Sequence, residues 1–66
     1  MEVIEELIAD WIQVRTTLKG QLRHFNEHGT AMAARYGDQV TAEARERVHR
    51  CVTEIELLIS HYSAKS

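Results

Sequence analysis

Proline is absent and glycine occurs only at Gly20, Gly29 and Gly37, so the residues that most strongly break a helix are almost missing. The one cysteine, Cys51, excludes an internal disulfide and suits a reducing compartment. No apolar run approaches the ~20 residues needed to cross a bilayer, which excludes a membrane span. The first fourteen residues contain four acids and no base, where a secretory signal would carry Lys or Arg, and this points to the cytoplasm. The aromatic residues are few, Trp11, Phe25, Tyr36 and Tyr62, and the chain is only 66 residues long. A chain near 60 residues buries about 60% of its unfolded surface, so its own core is marginal. With neither disulfides nor a complete set of metal ligands, association is the remaining way to stabilise so small a scaffold. The same shortage of material leaves no room for an active site, so no enzymatic activity and no cofactor are expected.

What is present is helical periodicity. Ile4, Ile8, Trp11, Arg15, Leu18, Leu22, Phe25, Gly29, Met32 and Tyr36 alternate steps of four and three, and only Arg15 and Gly29 are not apolar. In a second segment Thr41, Ala44, Val48, Cys51, Ile55, Leu58 and Tyr62 step in the same way, with Val52 and Ile59 as an adjoining apolar column. The pattern predicts an all-α fold in one domain, residues 1–66: helix 1 over about 2–36, a turn at 37–40 and helix 2 over about 41–63. Gly37 is expected as a left-handed cap, and Asp38 or Thr41 as the N-cap of the second helix. Gly29, within Asn26 to Thr30, is the place where the first helix could kink. So short a turn makes the helices antiparallel and sets Phe25 near Val52 and Arg15 near Tyr62. Arg15 in the seam must bury its stem and carry its charge out to water or to an acid.

Two constellations invite a chemical reading. His24-Phe25-Asn26-Glu27-His28 has the H-x-x-E-H spacing of some zinc peptidases, in which two histidines one turn apart grip the metal and the glutamate activates water. A third ligand and a cleft are missing, and Phe25 belongs to the apolar seam, so no metal is assigned. Arg45, Arg47 and Arg50, with Lys19, Arg23 and Arg35, could meet RNA phosphates in a hairpin dimer. Glu27, Asp38, Glu43 and Glu46 are interspersed among them and the net charge is −2, which describes a solvated face better than a nucleic-acid interface.

The apolar stripes are wider than two positions per heptad. Two helices cover only one side of each other, so the hairpin must complete a bundle by dimerising or by docking on a helical partner. The expected partner-binding residues are Leu7, Trp11, Val14, Leu18, Val52, Ile55 and Ile59. A homodimeric four-helix bundle with a regulatory or scaffolding role would use the same stripe.

Four elements, Ile4-Glu5-Glu6 at the start, Val14-Arg15-Thr16, a Gly37-Asp38 turn and a closing Leu58-Ile59-Ser60-His61-Tyr62, together span nearly the whole chain. In this layout the sequence resembles the YscE family of type III secretion proteins, small cytosolic helical hairpins that act as co-chaperones of the needle subunit. The resemblance implies a larger tetratricopeptide-like chaperone as partner, the pair keeping needle subunits from polymerising before export.

Overall fold

Regular spacing of apolar side chains and the absence of proline allow a helix to propagate until a residue that can reverse the chain. The computed structural model describes residues 3–64, and in it α1 runs over Val3–Tyr36 and α2 over Asp38–Ser63. The expected start of the first helix at Glu2 lies outside the described residues. Asn26 to Thr30 is continuous α-helix, so Gly29 does not divide α1. The molecule measures 47 × 15 × 14 Å, and a 34-residue helix at about 1.5 Å per residue accounts for the long axis by itself. Among the described residues no helix is long and apolar enough to cross a membrane.

The turn is one residue, not the four expected. The Gly37 amide donates to the Ala33 carbonyl at 2.8 Å, closing α1, and the Gly37 carbonyl accepts from the Thr41 amide at 3.1 Å, opening α2. Its φ of 100° is positive as expected, but its ψ of 148° lies outside the left-handed helical well, in a region essentially reserved for glycine. Asp38 and Thr41 are therefore inside α2 rather than capping it, and Gly37 itself occupies the cap position with no side-chain bond. Asp38 still places its carboxylate in the first turn, where the helix dipole favours an anion. Gln39 Nε2 donates to Glu43 Oε1 at 3.2 Å across that turn.

Shortening the turn shifts the register by about one helical turn. Residues about equally far from Gly37 now face each other: Trp11, 26 residues before it, packs against Tyr62, 25 after it, at 5.5 Å between ring centroids with the rings tilted by 54°. Lys19 Nζ reaches Glu56 Oε2 at 3.4 Å by the same rule. Tyr62 packs against Trp11, one helical turn along α1 from Arg15, and Phe25 shares a groove with Thr41, Ala42 and Arg45. Near the turn the small residues Gly29, Ala33 and Ala42 line that groove together with Thr41. At the open end α1 outruns α2 by eight residues, about 12 Å of helix.

Along α1 the expected seam from Ile4 to Met32 is half-buried throughout, Arg15 included, while Tyr36 stands 59% exposed at the helix end with the Arg35 guanidinium 5.5 Å from its ring. In α2 the seam runs through Val48, Val52, Ile55, Ile59 and Tyr62. Cys51 and Leu58, expected in that seam, are exposed, because Val48 is followed one four-residue step later by Val52 and not by Cys51. Among the described residues Val52 alone is buried, at 6% exposure.

The result is a rod with an unusually open core. Its accessible surface is 5192 Å², against about 4,300 Å² for an average folded monomer of 7.6 kDa and about 11,000 Å² for the unfolded chain. Its radius of gyration is 14.9 Å, where a compact domain of this length has about 11 Å.

Two substitutions test this account. Gly37→Ala must strain an L side chain at positive φ and should cost roughly 1–3 kcal/mol in denaturant unfolding, although its Cβ meets open space. Thr41 Oγ1 is buried with no hydrogen-bond partner among the described residues, so Thr41→Val should stabilise by about 1 kcal/mol and raise Tm by several degrees.

Candidate interaction surface

Each residue of an α-helix turns about 100° from the one before, so the sides of the hairpin can be sorted around the seam. Lys19 and Asn26 of α1 and Arg45, His49 and Glu56 of α2 leave the seam on one side. The Lys19–Glu56 ion pair and a groove lined by Leu22, Asn26, Arg45, Glu46 and His49 show the two helices presenting that side jointly. Lys19 and Glu56 are about half exposed, so the pair marks register more than it stabilises. This is the polar flank.

By the same rotation Val3, Leu7 and Val14 of α1 and Val40, Cys51 and Leu58 of α2 leave the seam on the opposite side. All six are exposed, with Leu7 at 41%, Val14 at 44% and Leu58 at 39%. Val14 and Leu58 stand at nearly the same level of the rod, 23 residues before Gly37 and 21 after it. A shallow depression beside Leu18 is lined by Asp10, Gln13, Val14 and Thr17, and another by Glu54, Leu57, Leu58, His61 and Tyr62. The apolar flank is thus a band along one side of the hairpin, densest in the open half around Leu7, Val14 and Leu58 and adjoining the seam at Leu18. Of the remaining large exposed apolar residues, Ile12 turns toward the polar flank and Leu57 points away from α1.

The seven residues expected to bind a partner divide accordingly. Leu7 and Val14 lie on the apolar flank; Trp11, Leu18, Ile55 and Ile59 are half-buried between the helices; Val52 is covered by α1. Leu58 and Cys51 complete the flank and were placed in the seam by their spacing. The signal that separates them is side-chain shape: Val48, Val52, Ile55 and Ile59 are all β-branched and recur at helical spacing, forming a more uniform stripe than one through Cys51 and Leu58.

The two chemical constellations do not assemble. His24 and His28 lie with ring centroids 4.5 Å apart, and His28 Nε2 is 4.0 Å from its neighbour Glu27, all on exposed surface. Among the described residues no group of three or more His, Cys, Asp or Glu comes together to hold a metal. Arg45 is on the polar flank and Arg47 on the apolar one, so the arginines of α2 do not form a single stripe. In comparisons with known proteins, no family model, no curated protein and no solved structure matches the chain.

If His24 and His28 carry no structural metal, an excess of chelator should leave the thermal midpoint unchanged. A fall of several degrees on chelation would give the H-x-x-E-H segment a metal-binding role.

Proposed function

We infer that the protein is a non-enzymatic interaction module whose apolar flank docks on another helical protein. The observation that carries this reading is the exposed band Leu7, Val14, Cys51 and Leu58 beside an almost unburied core. A hairpin with exposed aliphatic residues aligned on one flank gains most by laying that flank in a groove between helices. Binding of that kind stabilises both proteins, because only the folded hairpin presents the band.

The resemblance in layout to the YscE family supports one specific form of this reading. The hairpin would be a cytoplasmic co-chaperone in type III secretion, pairing with a tetratricopeptide-like chaperone so that needle subunits stay unpolymerised. A concave helical repeat is a suitable receptor for a 47 Å rod with one aliphatic side.

The co-chaperone form requires a tetratricopeptide-like chaperone encoded nearby; co-expression with it should yield a stoichiometric complex, and Leu58→Glu should weaken that complex at least ~10-fold, since a desolvated, unpaired charge costs more than ~1.4 kcal/mol. Lack of any complex would overturn the co-chaperone form. Indifference to Leu58→Glu would remove the flank from it.

A further inference from the structure

Four histidines are spread over the hairpin. His49 lines the groove of the polar flank, and His61 lies edge-on to Tyr62 at 5.0 Å between centroids. His24 and His28 instead stand one helical turn apart on α1, with ring centroids 4.5 Å apart. We propose that these two form a reversible two-ligand site for a divalent transition-metal ion of the nickel and copper class, with water in the remaining coordination positions. Such a site is neither a catalytic nor a closed structural zinc centre, for which three or four protein ligands would have to come together, and among the described residues they do not. It makes no use of Leu7, Val14 or Leu58, and so stands whether or not that flank docks on a partner.

The separation of the rings carries it. A metal about 2.1 Å from an imidazole nitrogen lies about 3.2 Å from the centre of that ring, so two rings at right angles about the metal have centres about 4.5 Å apart, and two at the tetrahedral angle about 5.2 Å. The observed 4.5 Å is the right-angle value. Right-angle pairs of nitrogens belong to square-planar and octahedral ions, and imidazole suits nickel and copper in those geometries. The spacing does not depend on how the rings happen to be turned. The Cβ–Cγ bond points at the ring centre, so rotation about χ2, a broad torsion, swings Nε2 while leaving the centre in place. Backbone and χ1 set the distance, and χ2 has only to aim both nitrogens at one point. His28 Nε2 is 4.0 Å from Glu27 Oε2, beyond hydrogen-bond range, so little is lost when that ring turns.

The backbone and the surroundings agree with this geometry. Both residues lie inside continuous α-helix, so their four-residue spacing is held before any metal arrives. Both side chains are exposed, so an ion displaces water and disturbs no packing. The Glu27 carboxylate beside His28 supplies negative charge close to the cation. A metal held by both rings clamps one turn of α1 across Asn26 and Glu27, immediately before Gly29 and Thr30, where intrinsic helix propensity is poor.

The test is calorimetric titration of the untagged, metal-stripped chain with Ni2+, read together with the thermal midpoint by circular dichroism. Ni2+ is the probe because Cu2+ would oxidise the exposed thiol of Cys51. One ion per chain is expected, with Kd of about 10–100 µM, from two imidazole contacts of roughly millimolar strength joined at high effective concentration. Saturating Ni2+ should raise Tm by several degrees, because only the folded helix sets both rings at this spacing. His24→Ala and His28→Ala should each leave the helical signal of the metal-free chain unchanged, weaken binding at least ~10-fold and abolish the rise in Tm. Adding Asn26→His to His28→Ala places the second imidazole on another side of the helix and should not restore binding. His49→Ala and Cys51→Ser should change nothing.

Absence of saturable binding below ~1 mM Ni2+ overturns the proposal. So does binding that survives the loss of either His24 or His28, or that disappears with Cys51→Ser.

Discussion

One backbone position decides what every other residue in this protein meets. Gly37 ends one helix with its amide and begins the next with its carbonyl, and no residue with a side chain could hold its dihedral angles without strain. Because the reversal uses a single residue, residues equally far from it along the chain are brought level. Trp11 therefore packs on Tyr62, Lys19 reaches Glu56, and the small residues Gly29, Ala33 and Ala42 line a groove near the turn. The division of the surface follows as well. Once register and seam are set, the exposed aliphatic residues Leu7, Val14 and Leu58 fall on one flank and the Lys19–Glu56 pair on the other.

Two helices in contact offer each other one stripe and no more. Here that stripe closes over a single side chain, Val52, while the flanking aliphatics stay in water. Such a hairpin resembles a folded protein in secondary structure and half of a folded protein in burial. Its sequence satisfies the helical pattern everywhere but places more apolar residues on α1 than α2 can cover. Arg15, half-buried in the middle of the seam, has the same meaning: a charge is tolerated there because the core around it is thin enough for the guanidinium to remain near water.

The helices, their antiparallel arrangement and nine of the ten positions in the seam of α1 were legible from spacing alone, because the steps of three and four between Ile4 and Met32 admit one phase. Tyr36 was the exception, since a residue on the last turn has no opposing helix once the chain reverses one position later. In α2 the spacing admitted two phases, through Cys51 and Leu58 or through Val52 and Ile59, and composition favours the second only when β-branching is weighed. The turn was overestimated because Asp38 and Thr41 are good capping residues, yet an extended Gly37 lets α2 begin at once. The shorter turn also brings Trp11 level with Tyr62. Of the candidate surface, Leu7 and Val14 were identified from the width of the stripe. Leu58 and Cys51 were not, because a residue's flank depends on a phase that only the folded pair defines.

The single-residue reversal also bears on how the rod assembles and breathes. Pairs near Gly37 close loops of a few residues, while the Trp11–Tyr62 ring contact closes one of about fifty, and the entropy of closure rises with that span. Contacts can form in sequence from the turn outward, each shortening the loop that the next must close. Such a zipper suits rapid folding. Opening runs in reverse, so protection of backbone amides against exchange should fade along the rod toward the end where α1 extends past α2. Leu7, Val14 and Leu58 of the apolar flank stand in that same half, and whatever covers them therefore holds closed the part of the molecule most ready to come apart.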